Sequence, residues 1–146
     1  MRRFYPRLLV FLQFGIIGVM IVTTLLSFRF SWSGLFILIV GVATGVWALN
    51  HNRLGNFNIV PELKEGCTLV TSGIYRYIRH PMYTSVILML LGVALLSSAV
   101  LNWFFWLSLV VVLYLKASRE EALWIDHDPC YTKYREKTKY FIPYIL

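Results

Sequence analysis

Three long apolar runs dominate the pattern of hydrophobic and polar positions. Residues 8–28 and 31–49 form runs of 21 and 19 residues without a charged side chain, and residues 81–115 form a run of 35. About 20 helical residues cross a hydrocarbon core, so each of the first two runs predicts one transmembrane helix. The third run is too long for one span and predicts two helices, with a turn in the polar stretch 97–102.

The predicted fold is therefore an all-α integral membrane bundle in one domain, residues 1–146. Its four transmembrane helices, the last two forming a hairpin, are expected at about residues 8–28, 31–49, 81–97 and 101–117. The first run is longer than the 7–15 residues typical of a signal-peptide core, so we expect it to stay as a membrane anchor.

Two segments outside the helices are expected to be ordered. The loop 50–80 and the C-terminal segment 118–146 both mix polar residues with apolar and aromatic ones. Loops of this length are usually functional or disordered, and this composition favours order. The second segment predicts a short amphipathic helix that ends near Thr138. We expect both segments to cap a ligand pocket on one membrane face.

Glycines in the first two helices indicate close helix packing. Gly15 and Gly18 lie in the first helix, and Gly41 and Gly45 share one face of the second. Small residues let membrane helices approach closely. We expect the Gly41 and Gly45 face to contact the first helix or the hairpin.

The charges predict a topology rather than a nucleic-acid partner. Hydrophobic residues make up 58% of the chain and charged residues 14%, and the net charge is +7. With cytoplasmic termini, 13 of the 14 Lys and Arg residues fall in or beside the cytoplasmic segments, and Arg29 lies outside them, as the positive-inside rule requires. This predicts a multi-pass protein of a bacterial inner membrane or an equivalent membrane. Its basic residues then face anionic lipid head groups.

Cysteine and histidine spacing gives no support for a metal site. Cys67 and Cys130 both fall on the predicted cytoplasmic side, where a disulfide is not expected. His51, His80 and His127 are too far apart in the sequence to indicate a ligand set.

The polar stretch "IYRYIRHPMYT", residues 74–84, stands at the edge of the third apolar run. Pro81 suits the first turn of a helix, and the residue before a proline prefers an extended backbone. His80 should therefore lie at the helix mouth, where unpaired N–H groups and the helix dipole favour a carboxylate-bearing ligand. The alternative is an interfacial belt of tyrosines and arginines without chemistry.

Glu120 and Glu121 form an acidic pair just beyond the predicted end of the fourth helix. Carboxylates are poorly placed at a helix C-terminus. If the pair folds back beneath the mouth of the third helix, it joins an imidazole, phenols and guanidinium groups in a site for a ligand with both charges. The alternative is an exposed, salt-bridged turn, which contributes little.

These segments resemble a known family. "CTLVTSGIYRYIRHPMYTS", the later "REEAL" and the terminal "YTKYREKTKYFIPYI" are similar to the isoprenylcysteine carboxyl methyltransferase family. More broadly, they resemble the membrane methyltransferase superfamily that includes phospholipid methyltransferases. The resemblance covers residues 56–146. In place of the family's Phe-Gly after the acid pair, this chain has "WIDHDPCY".

The resemblance implies methyl transfer from S-adenosyl-L-methionine at the cytoplasmic face. By match to the family, the cofactor-binding residues are Cys67, Thr68, Leu69, Val70, Tyr75, His80, Pro81, Met82, Tyr83 and Glu120. Lys116 is expected to face the methyl acceptor, with Arg119 nearby. For an amine acceptor, Glu121 or His80 is the candidate base.

The acceptor is expected to be lipophilic, such as a prenylcysteine carboxylate, or alternatively a phospholipid amine. Lys116 replaces an arginine of the eukaryotic members and lacks the bidentate fork that suits a carboxylate. Two further classes stay open, a sterol-reductase-like NADPH oxidoreductase and a non-catalytic membrane scaffold. The reductases are normally longer, and the sequence has no Gly-x-Gly-x-x-Gly motif. The oligomeric state is left open.

Overall fold

The computed structural model describes residues 4–52, 60 and 68–143. Its helices are α1 Phe4–Leu26, α2 Trp32–His51, a 3-10 helix Gly73–Arg76, α3 Pro81–Leu95, α4 Leu101–His127 and α5 Cys130–Lys137. Within the described ranges the regular structure is helical, apart from two isolated backbone bridges, one of Phe28 with Ser97 and one of Ile78 with Lys139. The predicted all-α class is confirmed.

Four of these helices are apolar and form the membrane bundle. α1, α2 and α4 are each long and apolar enough to cross a membrane, whereas α3 has 15 residues. At 1.5 Å per residue α3 measures about 22 Å, less than the roughly 30 Å of a hydrocarbon core. Large apolar side chains cover the outer faces of α1 and α2, among them Phe11, Leu25, Trp32 and Phe36. The chain is an integral membrane protein, and α3 is the short member of its bundle.

α4 differs most from its predicted bounds. It ends at His127 rather than at residue 117, because strong helix formers follow the last long apolar stretch and keep the helix intact. Glu120 and Glu121 therefore lie inside α4, and the prediction that they follow its end is wrong. The C-terminal segment begins as helix, and α5 with Thr138 as its C-cap confirms the predicted short helix.

Glycines bring α2 and α3 into close contact. A Cβ atom on Gly41 would lie 2.6 Å from the backbone nitrogen of Met89, and one on Gly45 would lie 2.6 Å from the hydroxyl oxygen of Ser85. Ser85 Oγ donates a hydrogen bond to the Gly41 carbonyl at 2.7 Å. The predicted contact between this glycine face and the hairpin is confirmed.

The glycines of α1 do not take part in such packing. A Cβ atom on Gly15 or on Gly18 would meet nothing within 4 Å. The expectation that both serve helix packing is wrong within the part of the chain that is described. α1 instead packs on α3 and α4 through larger side chains around a buried cluster formed by Met20, Leu90, Ala94, Leu109 and Leu113.

The two short connections of the bundle meet at one end. The Arg29 N–H donates to the Leu96 carbonyl at 2.9 Å, and the Ser98 N–H donates to the Ser27 carbonyl at 2.9 Å. The hydroxyl groups of Ser27 and Ser97 are 2.8 Å apart. The predicted turn in 97–102 is confirmed, and its polar side chains satisfy the backbone and one another.

Asn102 fixes the same end of the bundle from within. Its side chain is fully buried, accepts a hydrogen bond from Thr23 at 2.5 Å and donates one to Thr24 at 2.9 Å. This joins the end of α1 to the start of α4. The start of α3 and the end of α4 therefore lie together at the opposite end of the bundle, close to the C-terminal segment.

Candidate functional site

α3 begins at His80. Pro81 occupies its first turn, and the His80 carbonyl accepts a hydrogen bond from the Thr84 N–H at 3.0 Å. The His80 ψ of 55° lies outside the extended range preferred before proline, so that expectation is wrong while the helix start is confirmed. The His80 N–H donates to the Tyr140 carbonyl at 3.1 Å, which ties the start of α3 to the C-terminal segment.

The His80 imidazole reaches both carboxylates of α4. Its Nε2 lies 3.2 Å from Glu121 Oε1, and its Nδ1 lies 3.7 Å from Glu120 Oε2. The residue is 8% exposed. The mouth of α3 and the acidic pair thus converge, as the sequence predicts, although the pair stands on the helix itself rather than on a segment folded back from its end.

Glu120 is the more accessible of the two acids. Its side chain is 22% exposed, whereas that of Glu121 is 3% exposed. The Tyr83 hydroxyl donates a hydrogen bond to Glu120 Oε1 at 2.5 Å. Glu120 is therefore oriented by Tyr83 and His80 and keeps an open side toward a ligand.

Glu121 is held by arginines. Arg79 Nε donates to Glu121 Oε1 at 2.5 Å, and the Arg79 side chain is 6% exposed. Arg135 Nε lies 3.4 Å from Glu121 Oε2 without hydrogen-bond geometry, so this contact is an ion pair only. The predicted use of Glu121 as a base stays a prediction, since its carboxylate already serves this pairing.

Arg79 links the acidic pair to the C-terminal segment. Its Nη1 donates to the Arg135 carbonyl at 3.1 Å and also to the Thr138 carbonyl. Hydrogen bonds to a charged donor are among the stronger ones in proteins. The segment after α4 is thus anchored to the start of α3 through one buried guanidinium.

Aromatic rings surround the imidazole. The ring centres of Tyr83 and Tyr140 lie 5.7 Å and 5.5 Å from that of His80, with interplanar angles of 18° and 27°. The Arg79 guanidinium lies 4.5 Å from the centre of the Tyr140 ring. Burial raises the pKa of the Tyr140 phenol, so the ring stays neutral. Contacts with the imidazole and with the Arg79 guanidinium thus hold these two rings in place.

Lys116 lies one helical turn before Glu120 and is 2% exposed. Its Nζ donates a hydrogen bond to Gln13 Oε1 at 2.6 Å and lies 5.3 Å from the centre of the Tyr83 ring. Tyr83 therefore touches both the buried ammonium and the accessible carboxylate. An ionisable side chain inside a membrane bundle indicates a functional site by default.

The positions of Glu120 and Lys116 along α4 can be compared with the thickness of a hydrocarbon core. At 1.5 Å per residue, Glu120 stands about 29 Å and Lys116 about 22 Å from Leu101. A hydrocarbon core is about 30 Å thick. If α4 enters the membrane near its first residue, Glu120 lies at the opposite boundary and Lys116 lies inside the apolar region.

Arg119 precedes Glu120 on α4 and is half-buried. Its Nε is buried and forms no hydrogen bond within the described part of the chain. Its expected position near the methyl acceptor stays a prediction.

The predicted cofactor residues of the loop are placed in part. Cys67 lies outside the described residues, Thr68 is exposed, and Leu69 is half-buried. Val70 and Met82 are partly buried and pack on a cluster of Ala48, Ile74, Tyr75 and Ile78. This cluster supports the start of α3 from the side of α2. The cofactor-binding role of these residues and of buried Pro81 stays a prediction.

Tyr75 is held firmly in this cluster. It is 9% exposed, and its carbonyl accepts a hydrogen bond from the Tyr134 hydroxyl at 2.6 Å. Burial raises the pKa of Tyr75 to about 12, while a side-chain hydrogen bond with Asn52 lowers it and the charge of Glu120 raises it. Tyr75 is therefore a neutral phenol that is within electrostatic reach of the acidic pair.

Two residues of the site were not assigned individually from the sequence. Arg79 was expected there only as one of the guanidinium groups of the stretch 74–84, directly before His80. Gln13 is the one amide in the first apolar run, residues 8–28. A lone amide in a membrane helix requires a partner, which indicates a contact without saying where.

A comparison with protein families gives a match over most of the chain. A family model described as phospholipid methyltransferase matches residues 29–127. The matched range holds His80, Lys116, Glu120 and Glu121, and it excludes α1 and α5. No curated protein matches the chain significantly.

Proposed function

The chain belongs to the phospholipid methyltransferase family and is a membrane methyltransferase, and on this premise we propose that it methylates a lipophilic acceptor with S-adenosyl-L-methionine at the membrane boundary. The observation that carries the proposal is the convergence of His80 on Glu120 and Glu121, with contacts of 3.7 Å and 3.2 Å. A charged cofactor reaches this boundary from water, and a lipid-like acceptor reaches it from the bilayer.

The donor set fits the cofactor. Glu120 is partly exposed, and its carboxylate can pair with the ammonium group of the cofactor. The unpaired N–H groups in the first turn of α3 suit a carboxylate. When bound, the cofactor supplies an electrophilic methyl group.

For an acidic acceptor the protein needs to hold and orient rather than to move a proton. Such an acceptor is already ionised, so it would need no base, and the residues of the site would only have to hold its oxygen toward the methyl group that the bound cofactor would supply. Lys116, buried beside Tyr83, would hold the negative group of such an acceptor, for example a prenylcysteine carboxylate. Orientation and exclusion of water supply most of the rate in such sites.

The second candidate acceptor is a phospholipid amine, which the description of the family favours. An ammonium group must lose a proton before its nitrogen can attack. His80 would take that proton, since Glu120 at 3.7 Å stabilises the imidazolium that forms. Glu121 is less suited to this step because Arg79 occupies it.

The test uses the purified protein in lipid nanodiscs with methyl-labelled S-adenosyl-L-methionine. N-acetyl-S-farnesylcysteine and phosphatidylethanolamine are supplied separately as acceptors, and label in the lipid phase is counted. Methylation of N-acetyl-S-farnesylcysteine supports the hypothesis of a carboxylate acceptor. Methylation of phosphatidylethanolamine supports the hypothesis of an amine acceptor. If calorimetry detects binding of neither S-adenosyl-L-methionine nor its demethylated product, the proposal fails. Tight NADPH binding would instead support the reductase class.

We also propose that both ends of the chain lie on the cytoplasmic side. The support is the clustering of basic residues at the end of the bundle that holds the site. Cys130 is free and exposed. In a Cys67→Ser background, a membrane-impermeant maleimide should label Cys130 in inverted vesicles and not in intact cells, and the reverse pattern would contradict this orientation.

A further inference from the structure

Gln13 brings α1 into a site that the rest of the chain builds from α3 and α4. Its side-chain oxygen accepts a hydrogen bond from Lys116 Nζ at 2.6 Å, across 103 positions of sequence. Gln13 is 8% exposed and Lys116 is 2% exposed. α1 lies outside the matched residues 29–127, so no family assignment reaches Gln13.

The geometry points to Gln13 as a positioning residue that fixes the Lys116 ammonium for the polar group of the methyl acceptor. Lysine has a flexible four-carbon stem and can place its charge in many positions. Within the described residues the ammonium donates to the Gln13 oxygen and lies 5.3 Å from the centre of the Tyr83 ring. Tyr83 in turn binds Glu120.

The restraint matters because of where the ammonium lies. Lys116 lies one turn closer than Glu120 to the apolar part of α4, on the side from which a lipophilic acceptor would arrive. A displacement of about 1 Å at a reacting centre can cost about a hundredfold in rate. By fixing the Lys116 ammonium, Gln13 therefore determines how far the acceptor head group lies from Glu120 and the cofactor.

A purely structural role would predict something different. α1 and α4 are also joined at the far end of the bundle, where Asn102 Nδ2 donates to Thr24 Oγ1 at 2.9 Å. Thr24 is buried and lies 11 positions after Gln13 in α1, about 16 Å along the helix. Thr24→Val removes one buried α1–α4 hydrogen bond far from the site, which makes it a matched control for Gln13→Leu.

The inference rests on the proposed function for its kinetic test. Initial rates are measured in nanodiscs with N-acetyl-S-farnesylcysteine and with phosphatidylethanolamine, for wild type, Gln13→Leu, Gln13→Glu and Thr24→Val. Gln13→Leu is expected to lower kcat/KM for the acceptor about tenfold to hundredfold, as loss of a hydrogen bond to a charged group implies, with cofactor affinity unchanged. Gln13→Glu keeps an oxygen within reach of Lys116 but pairs with its charge, so kcat/KM for the negatively charged acceptor should fall as well.

Two kinetic results would overturn the inference. One is an unchanged kcat/KM in Gln13→Leu, and the other is an equal loss in Gln13→Leu and Thr24→Val, which would mean that α1 only stabilises the bundle. The inference would also be overturned if Gln13→Leu lowered the affinity for the cofactor as much as it lowers kcat/KM for the acceptor.

A reaction-independent measurement separates this inference from the proposed function. A membrane-permeant amine-reactive ester is applied, and modification of Lys116 is followed by peptide mass spectrometry. Only the neutral amine has the lone pair that attacks the ester, and the hydrogen bond to the Gln13 oxygen stabilises the protonated form. Lys116 should therefore react several times faster in Gln13→Leu than in wild type, Gln13→Glu or Thr24→Val. If wild type methylates neither acceptor, the proposed function fails, and the labelling still decides on Gln13: equal rates in all four proteins overturn its role.

Discussion

The Arg79 guanidinium and the Glu121 carboxylate lie 2.5 Å apart, and their side chains are 6% and 3% exposed. The same guanidinium binds the carbonyls of Arg135 and Thr138. A single buried ion pair thus connects the start of α3, the end of α4 and the C-terminal segment. It fixes the relative position of His80 and Glu120, on which the site depends.

Removing one partner of this pair is expected to destabilise the protein. Glu121→Gln leaves the Arg79 charge buried without its counter-charge, and loss of one member of a buried pair typically costs about 3–5 kcal/mol. We expect a lower midpoint of thermal unfolding in detergent and faster proteolysis after α4. The double variant Arg79→Leu, Glu121→Leu should lose less than the sum of the two single changes.

The matched control is Arg135→Gln. Its side chain is 49% exposed and lies 3.4 Å from Glu121. Exposed ion pairs contribute about 0–1 kcal/mol, so this change should leave the unfolding midpoint nearly unchanged. An equal effect of the Glu121 and Arg135 changes would contradict the anchoring role.

Glu120→Gln is expected to separate cofactor binding from stability. The amide keeps an oxygen that accepts the Tyr83 hydrogen bond but loses the charge that pairs with an ammonium. Since charge-assisted hydrogen bonds contribute about 1.5–3 kcal/mol, we expect the affinity for S-adenosyl-L-methionine to fall about tenfold to hundredfold by calorimetry. The unfolding midpoint should change little.

Glu136→Gln serves as its control, because this acid lies exposed on α5. It carries the same change in charge without a contact to the site. Unaltered cofactor affinity in Glu120→Gln, or equal losses in both variants, would show that Glu120 is not the ammonium partner. Full methylation activity in Glu120→Gln would favour a site elsewhere on the chain.

The sequence predicted the bundle because the length and polarity of an apolar run depend little on its neighbours. The bounds predicted from the apolar runs lie within four residues of the observed bounds of α1, α2 and α3. α4 was predicted too short because the apolar stretch stops near Leu115 while the helix continues. Its last turns are stabilised by helix propensity and by the contact of Glu121 with Arg79 rather than by lipid.

The site could be predicted only as far as local chemistry determines it. The helix start at Pro81 placed His80 at a helix mouth, and the resemblance to methyltransferases connected it with Glu120. Gln13 could not be assigned to Lys116 because that contact depends on which face of α1 meets α4. A partner 103 positions away has no signature in the pattern of one chain.

Buried tyrosines predict a loss of stability in alkali. Burial raises the pKa of Tyr75 to about 12 and also raises the pKa values of Tyr131 and Tyr134. Above the ordinary pKa of about 10 the unfolded chain releases these protons while the folded chain keeps them, so stability is full below pH 10 and falls as the pH rises toward 12. For Tyr75 alone the loss amounts to about 2–3 kcal/mol.

This effect is measured as a difference between wild type and Tyr75→Phe. Both are unfolded thermally in detergent at several pH values between 8 and 11.5. Lysines titrate equally in the two proteins, so the stability difference isolates Tyr75. Wild type should lose stability relative to Tyr75→Phe above pH 10, and a difference that does not vary with pH would contradict the prediction.

Alanine at two glycines of the bundle should have opposite effects on stability. In Gly41→Ala the new Cβ would lie 2.6 Å from the Met89 nitrogen, and this backbone atom can yield only if α3 moves away from α2. Such overpacking typically costs about 1–3 kcal/mol. In Gly15→Ala the Cβ meets nothing within 4 Å, and alanine is favoured over glycine in a helix by about 0.5–1 kcal/mol. Thermal unfolding in one detergent should therefore rank Gly15→Ala at or above wild type and Gly41→Ala below it. If the two variants unfold at the same temperature, α2 and α3 are not in the close contact on which the position of His80 depends.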